Sequence, residues 1–155
     1  MKRLRRSVTL GGLLEDVLTA RPAGSGATLA VLEHDLAAGE MPPLHVDPRD
    51  EAYRVLEGRL LVYTSDTATR LAAGDSFVVP RAVPHTVRAD SARARFVTMT
   101  YTDSPSGYEA FARAVAPADT PALPEDAPLL RALGAAAGIT VLGPPGSLPA
   151  RTIAA

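Results

Sequence analysis

Between Thr28 and Tyr101 the sequence runs as short apolar stretches cut by glycine, proline and polar turns. This punctuation limits the fold more than any other feature of the chain. TLAVLEHDL, Thr28 to Leu36, is a long strand. Its alternation sets Thr28, Ala30, Leu32, His34 and Leu36 on one face and Leu29, Val31, Glu33 and Asp35 on the other. The next strand starts near Leu44. Glu51 to Leu56 and Arg59 to Tyr63 predict a hairpin turning at Glu57-Gly58, where glycine accepts a positive φ. Thr69 to Leu71, Ser76 to Val79, His85 to Arg88 and Arg93 to Tyr101 follow as further strands. Upstream, Ser7 to Leu10 and Leu13 to Leu18 read as two more, hinged at Gly11-Gly12. Many short strands at regular spacing predict an all-β sandwich or jelly roll.

After Tyr101 the character changes. Ser106 to Glu109 fits a capping box, and Tyr108, Phe111, Ala112 and Val115 then share one helical face, as a helix packed on a barrel would. Pro117 to Pro124 is a proline-rich linker. Asp126 caps a second helix through Ala137, with Leu129, Leu130 and Leu133 toward the barrel and Gly138 at its end. The last residues, GPPGSLPARTIAA, read as an extended tail. The expectation is one domain over residues 1–155, with a barrel core over about 7–101 and a helical extension over about 104–155.

Two stretches carry the chemistry. GEMPPLHVDPRDEAYRVLEG, Gly39 to Gly58, brings His45, Asp47 and Glu51 close together in sequence, and GDSFVVPRAVPH, Gly74 to His85, adds another histidine. Residues two apart on a strand share a face, so His45 and Asp47 can enter a barrel together. Glu51 returns on the next strand, with Tyr53 and Val55 on its face. The chain has no cysteine, so any metal is held by nitrogen and oxygen. Imidazole with carboxylate suits divalent iron, manganese, nickel, copper or zinc.

Each of these residues has a second reading. His45 and His85 also read as buried, hydrogen-bonded core histidines. Asp47-Pro48 is a common turn dipeptide whose carboxylate can face solvent. If Asp47 and Glu51 both point inward, two carboxylates share a small apolar space, and without a cation one must take up a proton. His34 is read as a non-ligand: a surface or outer-sphere histidine, or a lumen residue able to act as acid or base. Tyr53, Phe77, Val79, Val87, Val97 and Met99 are core positions, and His34, Tyr53, Phe77, Val87 and Met99 are the candidate substrate-pocket set. Arg54, Arg81 and Arg95 belong on the surface or in salt bridges.

A net charge of -1 leaves no basic surplus to drive phosphate binding, so nucleic acid is not an expected partner. No apolar run approaches the length of a membrane span. Arg5-Arg6 ahead of an apolar stretch hints at an export signal, but Glu15 and Asp16 interrupt that stretch. The N-terminus is read as a basic start to a first strand, and the protein as cytoplasmic.

The two stretches resemble the paired motifs of the cupin superfamily. Gly39, His45, Glu51 and Gly58 fall in register with the first motif, with Asp47 where its second histidine belongs. Gly74, Pro80 and His85 match the second, with Ala82 in place of a glycine and Ala89 in place of an asparagine. PPLH, EAYRVLEG and VPRAVPH are similar to the small single-domain cupins called quercetin-dioxygenase-like. The resemblance implies a double-stranded β-helix that pairs into a homodimer through its sheet edges. It also implies one divalent metal ion, held in that family by three histidines and a glutamate. Carried over here, the ligands are His45, Glu51 and His85, with Asp47 in the fourth place.

Three functions follow. One is an oxygen-dependent, dioxygenase-type enzyme acting on a small phenolic, enolic or polyketide-like substrate. The second is a cyclase or isomerase of natural-product biosynthesis that uses no oxygen. The third is a non-catalytic small-molecule-binding module. Asp47 and Glu51 are the candidate catalytic carboxylates, and Asp47→Ala is expected to cost turnover more than stability.

Overall fold

The computed structural model describes residues 28–65, 67–103, 107–108, 110–111 and 127–150. The expected strands before Thr28, the capping box, Val115, the proline-rich linker and the end of the tail lie outside the described residues. Among the described residues nine strands and one complete helix are defined: β1 (Thr28–Ala37), β2 (Pro43–Val46), β3 (Glu51–Glu57), β4 (Arg59–Thr64), β5 (Ala68–Ala72), β6 (Ser76–Val79), β7 (His85–Ala89), β8 (Arg93–Thr102), α1 (Ala127–Ala136) and β9 (Thr140–Pro145), and residues 107–108 and 110–111 are also helical.

The strands form two sheets, in the orders β1-β8-β3-β6 and β5-β4-β7-β2-β9. The antiparallel pairs are nested: β1 with β8, β2 with β7, β3 with β6 and β4 with β5. A single long hairpin folded across two sheets produces this nesting, which is the jelly-roll arrangement. Inward residues of both sheets fill the barrel. Tyr53, Val55, Leu60, Val62, Val79, Val87 and Phe96 form one buried cluster with Leu36 and Leu71. Burial of this kind supplies the main driving force for folding.

The structure corrects four expectations. β3 and β4 are not a hairpin, because they lie in different sheets. The chain crosses between the sheets at Gly58, whose φ is +76 and whose added Cβ would lie 2.0 Å from the Arg93 carbonyl oxygen. The true hairpin is β4–β5, in register from Arg59↔Ala72 to Tyr63↔Ala68. Second, part of the expected tail is strand β9, which pairs with β2. Third, α1 buries Leu130 and packs Leu133, but Leu129 is exposed. The last concerns Met99. β8 turns Ala94, Phe96 and Thr98 inward, so Val97 and Met99 fall on the opposite face, where they are buried with Ala52.

The parity read for β1 holds. Ala30, Leu32, His34 and Leu36 face the interior clusters or cavity, while Leu29 and Val31 pack beside Met99. Two of the arginines behave as expected, Arg81 pairing with Asp50 and Arg95 with Glu33 and Glu57, while Arg54 is half-buried and donates to Ser76.

Candidate metal centre

His45 and His85 are direct cross-strand partners in the β2–β7 pair. Opposed residues on antiparallel strands share a face, so the two imidazoles are neighbours, with ring centroids 4.4 Å apart. Glu51 opens β3 in the other sheet and reaches them across the barrel. One ligand atom from each of His45, Glu51 and His85 lies within 4.8 Å of the others, and all three residues are buried.

The proton inventory shows whether this group fits a metal. His45 Nδ1 lies 2.9 Å from the Pro43 carbonyl oxygen, and His85 Nδ1 lies 2.9 Å from that of Val83. A carbonyl only accepts, so both Nδ1 atoms carry the proton and donate. In the neutral rings both Nε2 atoms are then lone-pair donors. Both face Glu51 Oε2, at 2.9 Å from His85 and 3.7 Å from His45. Lone pairs converging on a carboxylate need a cation between them: either protons on the rings or a metal ion. Carbonyl-anchored imidazoles with Nε2 free are the usual dress of histidine metal ligands. The three residues therefore form a group that can hold a metal.

The charges agree. Burial opposes ionisation of Glu51, yet its bonds to His45 and His85 hold its carboxyl well below the usual range. Burial likewise opposes the His45 cation, but the bond to Glu51 and its charge prevail and raise the His45 pKa.

Asp47 is not brought into this group. β2 ends at Val46, so strand parity no longer aims the next side chain inward beside His45. Asp47 is nevertheless 2% exposed, which excludes a solvent-facing turn carboxylate. Its Oδ1 accepts from the Arg49 backbone N–H at 2.9 Å and from Arg49 Nε at 2.6 Å, and its Oδ2 accepts from the guanidinium at 3.2 Å. The cation that offsets a second buried carboxylate is thus Arg49. Burial and the charge of Glu51 still outweigh Arg49 and raise the Asp47 pKa. Arg49 further donates to Thr102 Oγ1 and to the Ala137 carbonyl, both at 2.6 Å.

Of the candidate pocket residues, His34, Tyr53 and Val87 line a cavity of about 50 Å³ against His45 and Glu51. Phe77 packs on the barrel core, and Met99 lies on the other face of its sheet. Residues missed in the sequence complete the lining: Phe96, Thr98, Tyr108, Phe111 and Ile139 among them. Tyr108 donates to Glu51 Oε1 at 2.8 Å, and Phe111 lies edge-on to His45. Their apolar helical stripe was legible, but nothing local showed that a tyrosine within it reaches a carboxylate. His34 stacks on Phe96 with centroids 4.9 Å apart, and its Nε2 lies 2.7 Å from Thr98 Oγ1. Burial lowers the His34 pKa to about 4, against the opposing charge of Glu51, so the ring is neutral near pH 7. Burial and the same charge push the Tyr53 and Tyr108 phenols well up. Among the described residues no helix is long and apolar enough to cross a membrane.

Residues 32–100 match the cupin domain family. Germin-like protein 3-1 of Oryza sativa is 44% identical over 70 residues, covering 41% of this chain, and the chain spans 31% of that protein's length. Among solved structures, an RmlC-like cupin of Shewanella frigidimarina is 23% identical, with a TM-score of 0.44, covering 47% of this chain and 65% of its own. A salicylate 1,2-dioxygenase of Pseudoaminobacter salicylatoxidans is 28% identical, with a TM-score of 0.46, covering 53% of this chain and 22% of its own. A DMSP lyase of Ruegeria pomeroyi is 26% identical, with a TM-score of 0.45, covering 49% and 39%. The family match contains all three residues of the His–Glu–His group, and the nested strands that hold them form a two-sheet barrel; residues 32–100 of the chain are similar to a cupin domain and have its fold.

Proposed function

We propose that the protein is a metal-dependent cupin enzyme acting on a small phenolic, enolic or polyketide-like substrate in an oxygen-dependent, dioxygenase-type reaction. One observation carries this reading: two imidazoles with proton-anchored Nδ1 atoms present Nε2 to one carboxylate oxygen beside an aromatic-walled cavity. Two histidines and one carboxylate leave coordination positions open, as in sites that activate oxygen. An ion bound by His45, Glu51 and His85 supplies Lewis-acid charge for a phenol or enol oxygen and the redox chemistry that dioxygen requires. Iron, manganese, nickel, copper and zinc all suit the donor set, and oxygen chemistry favours the redox-active ones.

The chain's own residues do the rest. Tyr53, Phe96 and Phe111 offer ring faces and edges to a flat substrate. Among the described lining residues there is no lysine or arginine, so the cavity suits a neutral ligand better than an anionic one. Glu51 is the carboxylate nearest the chemistry, whereas Asp47, engaged by Arg49, supports the loop between His45 and Glu51. The reading takes the protein as one domain, cytoplasmic and homodimeric. Among the described residues, β6 and β5 each lie at one end of a sheet order and are candidate pairing surfaces.

The test is elemental analysis of protein purified without chelator, followed by oxygen-electrode assays with a panel of phenols and enolisable diketones. The expected results are near-stoichiometric metal and metal-dependent oxygen uptake. Protein that neither retains nor takes up any of the five metals refutes the metal centre. Metal without oxygen uptake, but with rearrangement of an enolisable substrate, replaces this reaction with the cyclase or isomerase. The Tyr108–Thr98–His34 hydrogen-bond chain beside the cavity favours that second reading, because it can pass a proton.

A further inference from the structure

We propose that Tyr108 is a positioning residue that reserves a single oxygen of Glu51 for the histidine pair. The proposal rests on the metal-centre reading above. The two oxygens of Glu51 have separate partners. Oε2 faces both imidazoles, at 2.9 Å from His85 and 3.7 Å from His45. Oε1 accepts the Tyr108 hydroxyl at 2.8 Å. The Tyr108 oxygen also lies 3.3 Å from Thr98 Oγ1, which lies 2.7 Å from His34 Nε2.

A phenol has one proton, and an ionised carboxylate can only accept, so the Tyr108 proton goes to Glu51. The Thr98 hydroxyl is then free to donate to the phenol oxygen. That leaves Thr98 Oγ1 to accept from His34, whose ring is fixed by stacking on Phe96. Tyr108 is 3% exposed, so turning its hydroxyl away would strand a buried donor and a buried acceptor together.

A carboxylate with both oxygens free can bind a cation through one or both. A charge-assisted hydrogen bond on Oε1 competes with the two-oxygen mode, and such bonds are roughly twice as strong as neutral ones. Each oxygen withheld leaves a position open beside the cavity. Tyr108 lies beyond residues 32–100, so this control comes from outside the stretch that matches the cupin domain.

Difference infrared spectroscopy of zinc-loaded against zinc-free protein tests the assignment. The separation between the antisymmetric and symmetric carboxylate stretches reports how a carboxylate meets a metal. Wild type should show the wide separation of one-oxygen binding. Tyr108→Phe, which removes only the hydroxyl, should narrow it toward the two-oxygen value. Thr98→Val, which keeps the Tyr108–Glu51 bond, should stay wide. An unchanged separation in Tyr108→Phe overturns the proposal and leaves the metal centre standing. So does a narrow separation in wild type, a measurement that needs no variant if Tyr108→Phe does not fold. Failure of wild type to bind zinc or any other divalent ion removes the metal centre and this proposal with it.

Discussion

Arg49→Ala should destabilise the protein by about 3 kcal/mol, because it leaves a buried carboxylate without its cation. The side chain of Asp47 is 1% exposed and that of Arg49 is 18% exposed. The guanidinium gives Asp47 two contacts, and it also serves Thr102 and the Ala137 carbonyl. Breaking a buried pair from one side costs roughly 3–5 kcal/mol. The lower end applies here, since Arg49 is partly wet and the Arg49 backbone N–H still serves Asp47. For a chain of this length about 3 kcal/mol is a fall of roughly 6–12 °C in Tm.

Asp47→Ala should cost less, about 1–2 kcal/mol, because Arg49 keeps Thr102 and Ala137 as partners and can reach water. The two single losses should therefore exceed the loss in the double variant, with a coupling of at least about 1 kcal/mol. The pH dependence sharpens the test. The folded Asp47 pKa is already raised by burial and by Glu51, and losing Arg49 raises it further. A carboxylate whose folded pKa exceeds its unfolded one binds more protons when folded, so stability rises as pH falls through the folded pKa. The Arg49→Ala deficit should thus be largest near pH 7 and shrink toward pH 5. Urea unfolding of chelator-treated protein, followed by circular dichroism, measures all of this. A deficit under about 1 kcal/mol, strict additivity in the cycle or a deficit independent of pH would refute the argument. It would also return Asp47 to the role expected from sequence, where its loss costs turnover rather than stability.

His85→Ala should abolish metal uptake, and wild-type affinity should weaken as pH falls, because protons compete for Nε2 and the raised His45 pKa lets them compete above the ordinary histidine value. Zinc titration between pH 5.5 and 8 reads this. His34 has a folded pKa of about 4 against an ordinary 6.5, so its contribution is full above pH 6.5 and is lost as pH falls toward 4. That loss is at most about 3 kcal/mol, and less where water reaches the half-buried ring; His34→Gln should flatten the acid limb of an apoprotein pH–stability curve. Ala82 has a φ of +62, at the position where the cupin motif carries glycine. Ala82→Gly should raise stability by about 1 kcal/mol in the same urea assay, since a left-handed residue with a Cβ costs roughly 1–2 kcal/mol.

The strands were legible because alternation and glycine–proline punctuation are local. β1 and β5 to β8 lie within a few residues of their sequence positions, and α1 lies within one residue at each end. Partnership was not legible. Gly58 looked like a hairpin turn because a tight positive-φ reversal reads the same whether it returns to its own sheet or crosses to another. β9 was hidden because Gly143, Pro144 and Pro145 depress strand propensity, and only pairing with β2 makes it a strand. At the site, His45, Glu51 and His85 were legible as residue types at motif spacing. The two carbonyls that fix their tautomers belong to residues two positions upstream, Pro43 and Val83, and only the folded backbone shows that bond. Asp47 lies outside the group for a simpler reason: β2 ends at Val46, and period-two alternation does not extend past the end of the strand.

The division of labour along the chain bears on what a family match can mean here. The His–Glu–His group that can hold a metal lies wholly within residues 32–100, on strands β2, β3 and β7. Three of the side chains that shape the cavity beside it, Tyr108, Phe111 and Ile139, lie outside that stretch. They pack with Ala30 and Ala137 as a cluster of their own, separate from the barrel core. Arg49 ties the two parts together, since it joins the loop between His45 and Glu51 to the Ala137 carbonyl just before Ile139. On the proposed reading, metal chemistry rests on the barrel, while one wall of the cavity comes from residues outside the stretch that matches the cupin domain. Two chains can share the first and differ in the second, so on the proposed reading Tyr108, Phe111 and Ile139 are the positions at which to test substrate preference apart from the motif histidines.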